Sequence, residues 1–213
     1  MKKLLFLFLS TIFTLTTYAQ DANAKALLDE VSTKAKSYKN ISIDFKYVLE
    51  NTEENIKQET RGDVIMEGEK YRLNILGITR IFDGLNLYSI SPEDEEVTIS
   101  KASNEDKNTI TPSKMLSFYK DGFTYKMDIE QNVQGRKIQF VKLTPIDSSS
   151  EIKYVLLGID VKTKNIYRLI EIGKNGTKTT LTVNSFKTNE TLSKSLFTFD
   201  KEKYKDYYIN KLD

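Results

Sequence analysis

Residues 40–51 read NISIDFKYVLEN, and their alternation decides the fold. Ile41, Ile43, Phe45, Tyr47 and Leu49 fall on every second position, with Ser42, Asp44, Lys46 and Glu50 among the residues between them. Successive side chains of an extended chain point to opposite faces, so a period of two predicts a strand with one buried face. The residues before it follow a different period. Across residues 21–39, Ala24, Leu27, Leu28, Val31 and Ala35 take the i, i+3, i+4, i+7, i+11 spacing of one helical face. Asp21 or Asn23 is placed to cap the N-terminus and Asn40 to end the helix. An amphipathic helix is thus expected to lead into a half-buried strand.

Strand patterns dominate from there to the C-terminus, at residues 60–67, 70–76, 79–82, 85–91, 96–100, 123–130, 137–144, 153–160, 166–172 and 177–186. Turn signals separate most of them: Gly68-Glu69, Asp83-Gly84, Ser91-Pro92, Gln134-Gly135, Lys164-Asn165 and Asn175-Gly176. Asp83-Gly84 is expected to form a type I′ turn, and the acidic run Glu93 to Glu96 a solvated hairpin turn. About eleven strands on short hairpins predict one large, curved, antiparallel sheet or barrel, because parallel strands would need crossover helices between them. One helix interrupts the meander at residues 111–119. Thr111-Pro112 supplies an N-cap and a proline at N1, Met115, Leu116 and Tyr119 share one side with Phe118 flanking, and Gly122 closes the segment.

The first residues address the compartment. Met1-Lys2-Lys3 is a positive n-region, Leu4 to Leu9 an apolar core, and Thr17-Tyr18-Ala19 places small residues where a signal peptidase cuts. Residues 1–19 are therefore expected to be a cleaved secretory signal and residues 20–213 one domain. Removing Lys2 and Lys3 leaves 30 basic and 30 acidic side chains. With that balance and alternating signs there is neither the basic stripe a nucleic-acid binder needs nor a polybasic membrane patch.

The 213 residues contain no cysteine and no histidine. That removes disulfides, thiol nucleophiles, thiolate metal sites, the usual general base and the Ser-His-Asp triad. No local motif selects a carboxylate pair, and Gly158, Gly173 and Gly176 lack the spacing of a phosphate loop. The expectation is a binding protein rather than an enzyme, with no metal and no cofactor.

Twelve tyrosines and eleven phenylalanines give much apolar surface to a sheet with only two helices to cover it. A sheet of this kind either packs on its own side chains or leaves a hollow under the helices. Phe45, Tyr47, Tyr71, Leu73, Phe82, Phe123 and Tyr125 suit either outcome. Met66, Met115 and Met127 are adaptable side chains suited to flexible tails, or ordinary gap fillers. Lys36, Lys39 and Lys46 stand near the first helix, where they could meet a head group or simply be solvated.

The order of these parts resembles a known family. A signal peptide, an amphipathic helix, NISIDFKYVLEN, RGDVIMEGEKYRLNI, IFDGLNLYSISPEDEEVTI, the helix TPSKMLSFYKDGF and a late LFTFD are similar to the LolA family of periplasmic lipoprotein carriers, across nearly the whole mature chain. The run Gly68 to Leu73 and the Ala19-Gln20 junction look most like Bacteroidota members. The resemblance implies an unclosed antiparallel β-barrel of about eleven strands, mainly β, with an α-helical lid over a hydrophobic cavity. It implies a monomeric chaperone that takes the acyl chains of outer-membrane lipoproteins from a LolCDE-type ABC transporter of the inner membrane. Delivery would be to an outer-membrane acceptor that the sequence does not identify. A binding or sensing module for another lipid or glycolipid on the same half-barrel is the alternative.

On this resemblance the acyl-chain contacts would come from Leu28, Val31, Phe45, Tyr47, Leu49, Met66, Tyr71, Leu73, Ile75, Phe82, Leu87, Met115, Leu116, Tyr119, Phe123 and Tyr125. Tyr71 matches an aromatic cavity position, and Asp83, Gly84, Tyr88 and Pro92 match the next hairpin. One departure stands out. Where many carriers have an Arg-Pro pair whose arginine holds the lid to a helix backbone, this chain has Glu67-Gly68. The arginine's role is not carried over, so the lid is held differently or the cargo differs.

Overall fold

The computed structural model describes residues 21–101, residue 119 and residues 122–212. The expected signal peptide lies outside them, as does the helix at 111–119 apart from Tyr119.

The chain enters α1 at Ala22–Ser37. Asp21 is the cap: its Oδ1 accepts the backbone N–H groups of Asn23 at 2.9 Å and Ala24 at 3.2 Å, two donors that the first turn cannot otherwise satisfy. Ala24, Leu27, Leu28 and Val31 are buried along one stripe, as their spacing requires.

Asn40 marks the switch of period and is itself buried. Its side chain donates to the Glu190 carbonyl at 2.8 Å and accepts the Glu190 N–H at 2.9 Å. Since a buried amide must be bonded on both ends, this residue fixes the start of the sheet against the chain that leaves it.

The sheet begins with β1 (Ile41–Asn51), β2 (Ile56–Glu67), β3 (Lys70–Ile75), β4 (Ile78–Phe82), β5 (Asn86–Ser91) and β6 (Glu96–Lys101). It resumes with β7 (Phe123–Val133), β8 (Arg136–Pro145), β9 (Ile152–Asp160), β10 (Ile166–Gly173) and β11 (Lys178–Thr188). These eleven strands form two antiparallel meanders, joined where β1 pairs with β11. Glu67 and Lys70 face each other across the tight turn at Gly68, whose φ of +59° suits glycine.

A twelfth strand, β12 (Tyr208–Leu212), joins the roughly eleven expected. It lies parallel to β6, with Ile209 opposite Val97. The order is β12-β6-β5-β4-β3-β2-β1-β11-β10-β9-β8-β7, with β12 and β7 at the two edges, so the sheet is unclosed.

Asp83-Gly84 is also corrected. It is not a two-residue type I′ turn, because β4 stops at Phe82 and β5 starts at Asn86. The Asp83 carboxylate organises the loop instead, accepting from the N–H groups of Leu85 and Asn86, each at 2.8 Å, and from the Tyr88 hydroxyl at 3.1 Å. Aspartate competes for backbone donors in this way, and here it replaces the turn that the dipeptide alone favours. The acidic turn before β6 is exposed, as expected.

Candidate functional site on the concave face

The register assigns every side chain of the sheet to one of two faces. Ile41, Ile43, Phe45 and Tyr47 lie opposite Met66, Val64, Gly62 and Thr60 of β2. On the other side they meet Thr188, Phe186, Val183 and Leu181 of β11. The same face continues outward through Tyr71, Phe82 and Leu87 in one direction. In the other direction it runs through Leu169, Leu157 and Val141 to Met127.

Helix α1 lies against this face and touches both arms of the sheet. Leu27, Leu28 and Val31 pack with Val141, Leu143, Val155, Leu157 and Ile159. Ala35 and Tyr38, at the far end, pack in the cluster of Ile41, Phe45 and Tyr71. One helix meeting strands of both meanders means that the sheet curves around it. Its start is stapled to the edge strand β7, where Asp21 donates its N–H to the Tyr125 carbonyl and its Oδ2 accepts from the Met127 N–H at 3.0 Å. Its middle is tied to the β9–β10 turn by the Lys164–Glu30 ion pair at 2.6 Å.

Burial divides the expected contact residues into two groups. Leu28, Val31, Phe45, Met66, Tyr71, Leu87 and Tyr119 are buried by the protein itself. They form the packing that shapes the face. Tyr47, Leu49, Leu73, Ile75, Phe82, Phe123 and Tyr125 are half-buried and present apolar surface beside α1. Met115 and Leu116 lie outside the described residues. The expected list omits Met127, Leu169 and Leu181, which are half-buried on the same face. For Leu181 the alternation with Thr180 and Thr182 was the available signal; in β10, where Leu169 and Ile170 are adjacent, alternation gives no phase, and Met127 had been singled out only as an adaptable side chain.

Aromatic residues floor the face. Tyr71 and Phe82 are neighbours across β3 and β4 with ring centres 5.6 Å apart, a separation typical of favourable aromatic pairs. The Phe45 ring lies over Gly62, so closely that a Cβ there would stand 2.6 Å from the ring and 2.6 Å from the Asn74 carbonyl oxygen. Glycine lets the two strands and the ring close up. Beside it, a cleft of about 610 Å³ opens at the tip of the β3–β4 hairpin, lined by Phe45, Gly62, Ile75 and Ile78 together with Asp63 and Asn74.

Tyr119 is wholly buried. Its hydroxyl donates to the Leu28 carbonyl at 3.2 Å, and burial pushes the phenol well above its usual range. The lysines sort differently. Lys46 pairs with Glu59 at 2.7 Å on the opposite face. Tyr88 also points to that face, stacking on Phe199 at 4.7 Å. Among the described residues no group of three or more acidic side chains is placed to hold a metal ion. No helix among them is long and apolar enough to cross a membrane.

An unclosed antiparallel sheet curved around one helix, with apolar side chains half-exposed beside that helix, defines a half-barrel with an apolar concave face. The chain belongs to the outer membrane lipoprotein carrier protein LolA family, which it matches over residues 36–200. An uncharacterized conserved protein from Thermus thermophilus shares the fold, with a TM-score of 0.57 at 12% identity, over 89% of this chain and 99% of its own. The lipoprotein LppX of Mycobacterium tuberculosis matches with a TM-score of 0.49 at 14% identity, over 79% and 98% of the two chains. A LolA superfamily protein from Nitrosomonas europaea gives 0.42 at 12% identity, over 83% and 97%. No curated protein matches this sequence.

Proposed function

We propose that this protein is a periplasmic carrier that binds the acyl chains of lipoproteins on its concave face. It takes them from an inner-membrane transporter of the LolCDE type and delivers them to the outer membrane. The observation that supports this reading is the run of half-buried apolar side chains, Tyr47, Leu49, Leu73, Ile75, Leu169 and Leu181, on the face that α1 covers only in part, in a chain of the LolA family.

The energetics fit such a task. Hydrocarbon burial is worth roughly 0.8 kcal/mol per methylene, so moving a long acyl chain through water costs on the order of 10 kcal/mol. A concave apolar face offsets most of that cost by excluding water from the tail. The carrier must also release its load, which calls for a cover that moves. The Tyr119 hydroxyl, bonded to the Leu28 carbonyl, ties a residue from outside α1 to the helix that lies on this face. The missing histidine and cysteine agree with a binding role without chemistry.

The test is to purify the mature protein from its native envelope under mild conditions and identify what it carries by mass spectrometry. Triacylated peptides are expected. Free phospholipid or glycolipid in their place would instead make the protein a lipid-binding module, and an empty protein under all growth conditions would remove the carrier reading.

A further inference from the structure

Glu171 interrupts the apolar face. It lies opposite Thr179 of β11 and Val155 of β9, and its in-phase neighbour on β10 is Leu169, opposite Leu157 and Leu181. Val155 and Leu157 belong to the core that α1 covers, so the Glu171 carboxyl is on the concave side. It is half-buried, and among the described residues no side chain pairs with it. The nearest lysine on β11, Lys178, is held on the other face by Glu50 at 3.3 Å. Burial alone raises the Glu171 pKa, as expected where desolvation has no compensating partner.

A carboxyl among leucines and valines without a partner costs stability. Its position says what could offset that cost. Glu171 stands two residues from the end of β10 at Gly173, near the rim formed by the β10–β11 turn and the β1–β2 hairpin. Those loops are tied together by the Asn51 amide donating to the Thr177 hydroxyl at 3.2 Å. Helix α1 starts over Tyr125, on the cross-strand row that runs through Leu143 and Val155 to Glu171, and runs away from that row toward Ile41. Hydrocarbon against Leu169, Leu181 and Tyr47 would therefore place its polar head at Glu171.

We propose that Glu171 reads the charge of the head group of a ligand whose tail lies on the concave face, favouring heads that carry positive charge and disfavouring anionic ones. This rests on the concave face being the tail-binding surface. An ammonium would gain a charge-assisted bond to the carboxylate, whereas a carboxylate or phosphate head would face a like charge.

Three probes with the same twelve-carbon tail separate the head from the tail: dodecylamine, dodecanol and dodecanoate, titrated into the mature protein at pH 7.5 below their aggregation limits. The wild type is expected to bind dodecylamine more tightly than dodecanol and dodecanoate least. Glu171→Gln should weaken dodecylamine about tenfold, the loss of one charge-assisted bond, leave dodecanol unchanged and strengthen dodecanoate. Glu171→Leu should bind dodecanol at least as well as wild type, showing that the face still folds. Equal shifts for all three probes, or none, would overturn the head-group role while leaving tail binding intact. Failure of wild type and both variants to take up even dodecanol would overturn the tail-binding reading itself, and the head-group role with it.

Discussion

The Tyr119 hydroxyl donates to the Leu28 carbonyl at 3.2 Å, joining Tyr119 to the backbone of α1. A helix carbonyl at that position already serves the ladder, so the phenol adds a second bond to it, in a wholly buried setting. Tyr119→Phe keeps the ring and loses the bond, and should destabilise the protein by about 0.5–1.5 kcal/mol. Tyr119→Ala empties the site and should cost about 3–5 kcal/mol. Urea unfolding of both variants measures the difference. If the bond steadies α1 on the concave face, Tyr119→Phe should also release a bound tail faster than wild type.

Asp21 gives the fold an acid-sensitive staple. The backbone N–H of Met127, then that of Ala24, hold its carboxyl below the usual carboxylate range. A folded-state pKa that is depressed contributes stability present above the unfolded value, about 3.9, and lost as pH falls through the lower folded value. Asp21→Ala should therefore lower the thermal midpoint at pH 7. The gap to wild type should shrink as the pH is brought well below 4. A gap that stays constant over that range would mean the staple does not depend on ionisation.

Gly62 has no room for a side chain. A Cβ there meets both the Phe45 ring and the Asn74 carbonyl oxygen at 2.6 Å. Gly62→Ala should cost about 1–3 kcal/mol through overpacking. Combining it with Phe45→Leu should recover only part of the loss, since the backbone oxygen remains in the way. Chemical denaturation of the two single variants and the double variant decides the matter.

Leu181 and Thr180 are chain neighbours on opposite faces of β11: Leu181 meets Tyr47 and Thr180 meets Val48. A charge at Leu181 would sit against bound hydrocarbon, so Leu181→Arg should weaken uptake of a fluorescent fatty acid at least about tenfold. Thr180→Arg should leave it close to wild type.

Much of this architecture was legible in the sequence. The helix at Ala24 to Val31 and the strand at Ile41 to Leu49 each bury one face against solvent, and their periods show it directly. The faces of β9 were not legible, because Val155, Leu157 and Ile159 pack under α1 while Leu156 packs on the other side. With apolar residues on both faces, alternation carries no phase, and Leu169, beside Ile170, was missed for the same reason; Leu181 alternates with Thr180 and Thr182 and was legible, but was not among the expected contacts. β12 was missed because it is short and pairs in parallel with β6, about 110 residues earlier in the chain, a contact with no local signature. Glu171 reads as an ordinary surface carboxylate until the register places it among Val155 and Thr179.

The most direct test uses a photoreactive phenylalanine analogue at Leu181 and, separately, at Thr180, in cells whose lipoproteins carry radiolabelled acyl chains. Irradiation should crosslink labelled lipoprotein to the Leu181 protein and leave the Thr180 protein unlabelled. Labelling from Thr180 alone, or equally from both, would contradict binding on the concave face.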